Sequence, residues 1–292
     1  MQLDEVRSQI DEVDTQIREL FIRRMKLADE VACIKAQTED VIYKPDREMS
    51  IIDRQSQGME PSLLMEYRAL IRRVMEISRK YQYGRTLQLR DCFPYDYETQ
   101  MPDMSRLAML REQVYICDFC SKDEVMAAES YDQIAAWIEA GQADAGAGII
   151  EEIAAGMSDE LNLMLLAHGL YINSCRVAED QQRRLKVVAF TKHLCVRPEH
   201  NRLRLVFVAP NRSGALSSLL SMISDYGVNL TEIHSVPFSS GDDWNYHFFI
   251  EMSMNLLLPT SRALIFQLSQ ETQDMRLLGS YECEGDFVNR AE

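Results

Sequence analysis

The opening of the chain limits its fold more than any other stretch. From about Leu3 to Lys35 no Pro or Gly occurs, and apolar residues recur at Val6, Ile10, Val13, Ile17, Leu20, Phe21, Leu27, Ala28, Val31 and Ile34. Steps of three and four describe one apolar stripe along an α-helix, and the stripe is expected to be buried. At 1.5 Å per residue, a helix of about 33 residues is about 50 Å long, so it asks for a partner helix or a second subunit. Arg24 and Lys35, about three turns apart, point the same way. Arg7 lies more than about 20 Å before Arg24 and is turned by roughly 100°, so one chain does not easily bring it to the same pocket.

Two further helices follow. Pro45 suits the first turn of one running from about Asp46 to Gln57, and Gly58 and Pro61 punctuate the next break. A third spans Ser62 to about Tyr83, with Leu63, Leu64, Tyr67, Leu70, Ile71, Val74 and Ile77 inward and Gly84 expected to end it. Ser78 and Gln82, four apart, share one face of it. Residues 87–110 hold two prolines and read as a linker.

Beyond Gln113 the pattern becomes α/β. VYIC reads as a strand, EVMAAESYDQIAAWIEAG as helical, ADAGAGII as a strand of small residues, and EEIAAGMSDELNLMLLAHG as helical. LYINSCRV and LKVVAFTKHLCV read as strands. Residues 202–285 read as βαββαβ, with strands Leu203–Val208, Leu230–Val236, Asn245–Glu251 and Leu277–Tyr281 and helices Ala215–Tyr226 and Ser261–Glu271. Pro210 and Gly214 mark its first turn and Gly227 stops its first helix, a ferredoxin-like pattern.

Charge narrows the partners. The net charge is −15, yet residues 1–86 carry 15 basic and 16 acidic residues while the remainder carries 16 and 30. An acidic body argues against nucleic acid and anionic membranes, whereas the nearly neutral helical part can still bind a small anion. No apolar run is long enough to cross a bilayer, and the acidic N-terminus is no signal peptide, so a cytoplasmic location is expected. Seven cysteines without regular spacing suit a reducing compartment, and the lone Cys117-x-x-Cys120 lacks the second pair that a zinc site needs. No metal spacing and no phosphate-binding glycine loop is found, and no cofactor is implied.

Arg7, Arg24, Lys35, the adjacent Arg47-Glu48 and Ser78-x-x-x-Gln82, set on long, short and long helices, resemble the all-helical chorismate mutases over residues 1–86. The resemblance implies an intertwined homodimer, or a higher homo-oligomer, in which each site takes one arginine, here Arg7, from the partner subunit. It implies that this Arg7 and Arg24 hold the carboxylates of chorismate, that Lys35 and Gln82 face the breaking ether oxygen, and that Glu48 takes the ring hydroxyl. Arg47 and Ser78 would complete the polar shell. Where this family often has an acidic residue three positions before the arginine of the Arg-Glu pair, this chain has Lys44.

Residues 87–200 resemble in part the catalytic domain of prephenate dehydratases. Asp144, Gly146, Ile150 and Glu151 echo that family's aspartate-glycine strand and Pro-Ile-Glu-Asn-Ser run, but Ile149, Glu152 and Ile153 replace its proline, asparagine and serine. Its Thr-Arg-Phe is matched by Thr191-Lys192-His193, where a lysine lacks the planar fork of arginine. No Gly-Thr-Phe-Ser opening is present, and little over a hundred residues are too few for two lobes, so a truncated remnant is expected. Residues 201–292 resemble the ACT amino-acid-binding domain. Its Gly-Ala-Leu turn is present as Gly214, Ala215 and Leu216, while Glu-Ser-Arg-Pro reads His234-Ser235-Val236-Pro237 and loses both charged residues. An amino-acid effector, phenylalanine in that family, is left open.

The layout implies a multidomain chain: an all-α mutase domain, a small α/β region and a ferredoxin-like ACT domain. The expected activity is conversion of chorismate to prephenate in phenylalanine biosynthesis. Two alternatives stand beside it: a fully bifunctional enzyme that also makes phenylpyruvate, and a non-catalytic amino-acid sensor.

Overall fold

The computed structural model describes residues 2–152, 155–180, 183–209, 214–240 and 243–283. They form two compact units, Met1–Phe93 and Pro94–Glu292. Ile153 and Pro210 lie outside the described residues.

The first unit holds three helices, α1 (Leu3–Thr38), α2 (Pro45–Ser56) and α3 (Leu64–Leu89). The uninterrupted opening forms one 36-residue helix, closed by Glu39 in the left-handed region. Pro45 stands in the first turn of α2, where its missing N–H costs nothing. Two expectations need correction. Gly84 does not end α3, which runs on to Leu89 because Tyr83 and Thr86 are buried and Arg85 pairs with Asp29 of α1 at 2.9 Å. A single glycine costs a helix only about 1 kcal/mol, less than such packing returns. The α1 stripe is also not buried within one chain. Only Ala28 and Ala32 are buried on α1, whereas Ile10, Val13, Ile17, Leu20, Leu27, Val31 and Ile34 are all at least 40% exposed.

The second unit is built on one ten-stranded mixed sheet, ordered β2-β1-β3-β6-β5-β10-β7-β9-β8, with β4 paired to β3. Its strands are β1 (Leu107–Leu110), β2 (Met126–Ala128), β3 (Ala145–Glu152), β4 (Gly156–Met157), β5 (Tyr171–Asp180), β6 (Arg183–Thr191), β7 (Arg202–Val208), β8 (Asn229–Ser240), β9 (Asp243–Ser253) and β10 (Gln273–Tyr281). The helices are α4 (Tyr131–Glu139), α5 (Asp159–His168), α6 (Ala215–Asp225) and α7 (Pro259–Glu271). Ser130 and Ser158 cap α4 and α5 by accepting from backbone N–H groups at 3.2 Å, and Gly169 closes α5 in the left-handed region.

Here too the structure corrects the sequence reading. VYIC is a 3-10 turn over Arg111–Ile116, and the strand of this region is the preceding β1, a fully buried apolar run within the expected linker. Periodicity cannot separate such short runs from turns, and β1 becomes a strand because β2 and β3 pair with it in parallel. The rest of the linker is not loose, since Glu98 exchanges backbone hydrogen bonds of 2.9 and 2.8 Å with Leu194 and Val196. Met126–Ala128, read as helical, is β2, and β6 ends at Thr191 rather than continuing to Val196.

The expected boundary at residue 200 falls inside this sheet. The last four strands have the antiparallel order β10-β7-β9-β8, and β10 also pairs in parallel with β5 through Gly279 and Ile172. A Cβ at Gly279 would stand 2.3 Å from the Ile172 carbonyl oxygen, so the junction requires glycine.

His200, beside this junction, is buried with Nδ1 3.1 Å from the Ser280 hydroxyl and accepting from the Arg197 N–H at 3.4 Å. Burial, against the pull of Glu199, lowers its pKa from 6.5 to about 4. Between those values the unfolded chain binds a proton that the folded one refuses, so stability declines as pH falls from 6.5 towards 4. In denaturation titrations of the second unit, His200→Gln is expected to flatten that slope. An unchanged slope would contradict the assignment.

Candidate functional site

The charged and polar groups of the first unit converge where the C-terminal half of α1 faces α3 and the start of α2. Arg24 is half-buried on α1. Its guanidinium donates to the Val74 carbonyl at 3.2 Å and to the Ser78 hydroxyl. Burial lowers its pKa, which the Glu48 carboxylate partly restores. Ser78 is buried and back-bonds to Val74 O at 3.0 Å, which fixes its hydroxyl against Arg24.

Lys35, three turns along the same face, donates from Nζ to the carbonyls of Val41 and Ile42, each at 2.8 Å. It therefore fastens the turn between α1 and α2 while keeping one of its three donors. Burial lowers its pKa first, and Asp40, Lys44, Arg47 and Glu48 act on it electrostatically. Lys44 pairs with Asp40 at 2.6 Å. Glu48, in the first turn of α2, accepts from Arg79 at 2.5 Å. Gln82 lies one turn beyond Ser78 on α3, and its buried Oε1 has no hydrogen-bond partner among the described residues.

Arg24, Lys35, Glu48 and Ser78 are thus brought together, with Arg47 exposed at the rim. Arg7 is not. It is exposed on the first turns of α1, where it pairs with Asp4 at 3.3 Å. The arrangement presents several cations around one carboxylate, which suits an anionic ligand. Two residues escaped the sequence reading. Arg79 is buried beside Glu48, and its guanidinium carbon lies 4.5 Å from the ring centroid of Tyr43. Arg79 follows Ser78 directly, which was the available signal, but it was one of several basic residues on α3.

In the second unit the residues singled out are engaged locally. Thr191 is buried, and its hydroxyl accepts from Asn173 Nδ2 at 2.8 Å and donates to the His193 carbonyl at 3.2 Å. Lys192 Nζ caps α4 at the Glu139 carbonyl, 2.9 Å away. Asp144 is bound by Arg106 and accepts from Ser105 at 3.1 Å, which, led by the Arg106 side chain, brings its pKa down to about 2. Gly214 stands at the N-cap of α6 with positive φ, Ala215 is buried behind it and Leu216 is half-buried. His234 Nε2 lies 2.6 Å from Asp159 Oδ1 of α5, while Ser235 and Pro237 are exposed on β8 opposite Phe248 and Tyr246 of β9. Among the described residues no group of three or more His, Cys, Asp or Glu could hold a metal ion, and no helix is long and apolar enough to cross a membrane.

Residues 6–83 match the family model of chorismate mutase type II, so the three-helix unit is a chorismate mutase type II domain. Over nearly its whole length the chain is similar to the bifunctional chorismate mutase/prephenate dehydratases: a helical mutase domain followed by a dehydratase-like α/β region. That enzyme of Aquifex aeolicus is 22% identical over 96% of this chain and 98% of its own. The alignment extends over 360 residues against 292 in this chain, so the relative carries segments that are missing here. Among solved structures, GqqA, described as a novel type of quorum quenching acylase, covers 61% of this chain with 95% of its own at a TM-score of 0.53 and 20% identity. A prephenate dehydratase from Arthrobacter aurescens, solved in complex with L-Phe, covers 61% with 89% of its own at 0.51 and 14% identity. These two likenesses concern the fold.

Proposed function

We propose that the chain converts chorismate to prephenate as a dimer and that its second unit has lost dehydratase activity. The observation that carries the reading is the convergence of Arg24, Lys35, Glu48 and Ser78, with Gln82 one turn beyond Ser78 on α3. Chorismate is a dianion, and its rearrangement is pericyclic, with no nucleophile and no obligatory proton transfer. The protein then has two tasks: to hold the folded conformer and to stabilise charge on the breaking ether oxygen. Arg24 and the partner subunit's Arg7 grip the carboxylates, Lys35 and the amide N–H of Gln82 face the ether oxygen, and Glu48 accepts from the ring hydroxyl. Arg47 and Ser78 complete the polar shell.

A second copy is what the exposed α1 stripe calls for. Seven large apolar residues in one row, beside an Arg7 that its own chain leaves far from Arg24, suit an isologous interface that delivers Arg7 to the other site. Chorismate consumption with product identification tests the activity. Mixing Arg7→Ala and Lys35→Ala chains in equal amounts tests the sharing, because a mixed dimer rebuilds one intact site. About a quarter of wild-type activity is expected, from half of the dimers each with one working site. No recovery despite exchange of subunits would rule out shared sites.

The dehydratase reading is disfavoured because the Thr191 hydroxyl serves Asn173 and His193 and Lys192 caps α4. Phenylpyruvate formed from prephenate in a Thr191-dependent way would restore the bifunctional alternative. We assign the βαββαβ part, residues 201–292, as an ACT domain, and the mutase assay repeated with phenylalanine, tyrosine and tryptophan tests it for an effector.

A further inference from the structure

We infer that Arg79 is a positioning residue of the mutase site, holding the Glu48 carboxylate where it meets the ring hydroxyl of the ligand. The inference rests on the reading proposed above and adds to it a residue outside the expected set. Three observations place Arg79 apart from the other arginines of α3. Its side chain is nearly buried, its NH1 donates to Glu48 Oε2 at 2.5 Å across to α2, and its guanidinium lies 4.5 Å from the Tyr43 ring centroid. Arg68, Arg73 and Arg85 on the same helix make ordinary pairs with Asp53, Glu76 and Asp29, and each is a third or more exposed.

A buried guanidinium is tolerated only where it is paired, so its position is fixed by Glu48 and fixes Glu48 in turn. Charge gives this a purpose. Arg24 and Lys35 of α1 both act on Glu48 electrostatically, and Lys44 and Arg47 stand beside it on its own segment. A direct ion pair of Glu48 with Arg24 or Lys35 would occupy a cation that the dianionic ligand needs. Arg79 takes the carboxylate instead, from the face of α3 next to Ser78. The cation–π contact with Tyr43 helps to hold the guanidinium, whose two-pronged fork a lysine lacks.

The test is steady-state kinetics with chorismate on the full chain and on Arg79→Gln, Arg79→Lys, Glu48→Gln and the Arg79→Gln/Glu48→Gln double variant, each checked by thermal unfolding. The ring hydroxyl is present in substrate and transition state alike, so its loss should appear chiefly as a raised KM. Arg79→Gln is expected to lower kcat/KM by about 30-fold, or about 2 kcal/mol at 1.36 kcal/mol per tenfold. Arg79→Lys should recover part of that. In the Glu48→Gln background the same change should cost less than about twofold, because a residue acting through Glu48 has nothing left to act on. Unaltered kinetics of Arg79→Gln, or losses that add fully in the double variant, overturn the role. If Arg79→Gln fails to fold, the comparison of Arg79→Lys with and without Glu48→Gln decides by the same criterion. An unmutated chain that leaves chorismate untouched overturns the mutase reading itself, which separates the two failures.

Discussion

Lys35→Ala is expected to lower kcat for chorismate by about 10²- to 10³-fold, the range seen when a preorganised donor to developing negative charge is removed. As the ether bond breaks, charge gathers on its oxygen. In the proposed site the half-buried Lys35 ammonium faces that oxygen and would stabilise its charge more than water does. Lys35 also binds the Val41 and Ile42 carbonyls, so a purely structural loss must be separated from a chemical one. The separation comes from binding. A variant that has lost only transition-state stabilisation keeps its KM, whereas a collapsed turn would move Glu48 and raise KM together with the fall in kcat. The exposed stripe of α1 is unaltered, so the assembly measured by sedimentation should not change. Wild-type turnover in Lys35→Ala would remove the basis of the mutase reading.

The second large effect concerns stability. Glu251→Gln is expected to destabilise the second unit by about 3–5 kcal/mol, the cost of leaving buried charge without its partner. Glu251 on β9 sits at the centre of a buried network. Lys186 of β6 reaches it at 2.5 Å, Thr231 donates at 3.0 Å, Tyr281 donates its hydroxyl, and Arg202 and Arg204 of β7 stand at 3.6 and 4.0 Å. Arg204, fully buried, is held further by both Glu232 oxygens at 2.9 and 3.0 Å and by Asn162 of α5 at 3.1 Å. A neutral amide leaves Lys186 without its carboxylate in the middle of the sheet.

The pH dependence has a definite sign. Burial pushes the Glu251 carboxyl up, but Lys186 and Arg204 pull it further down, so its folded pKa lies below the usual 4.5. Its stabilisation is therefore complete above 4.5 and is lost as pH falls through the folded value. Urea titrations should show the loss at neutral pH and a weaker acid response in Glu251→Gln. A variant as stable as the parent would mean that the network contributes nothing net.

Much of this was legible in the residues themselves. The length of α1, the proline that opens α2 and the glycine that stops α6 are local signals, set by the 3.6-residue period and by turn chemistry. Part of the candidate set was legible for the same reason, although joining it to Arg7, Arg47 and Glu48 took the resemblance to the chorismate mutases. Arg24 with Lys35, and Ser78 with Gln82, are spaced by helical turns, so spacing alone puts each pair on one face. Where local signals were weak the reading slipped: Gly84 lies inside α3, VYIC is a turn, and β1 was taken for linker.

The sequence by itself determined the three helices of the first unit, the pairs of polar groups that share a helical face, and the apolar row along α1. Only the tertiary structure decided that Arg79 meets Glu48 across 31 positions, that β10 lies beside β5, and that Lys186, Arg204 and Glu251 share one buried network. The physical reason is range. Periodicity fixes the direction of a side chain relative to its own element, whereas the partner it meets depends on how distant elements pack, and no local pattern carries that information.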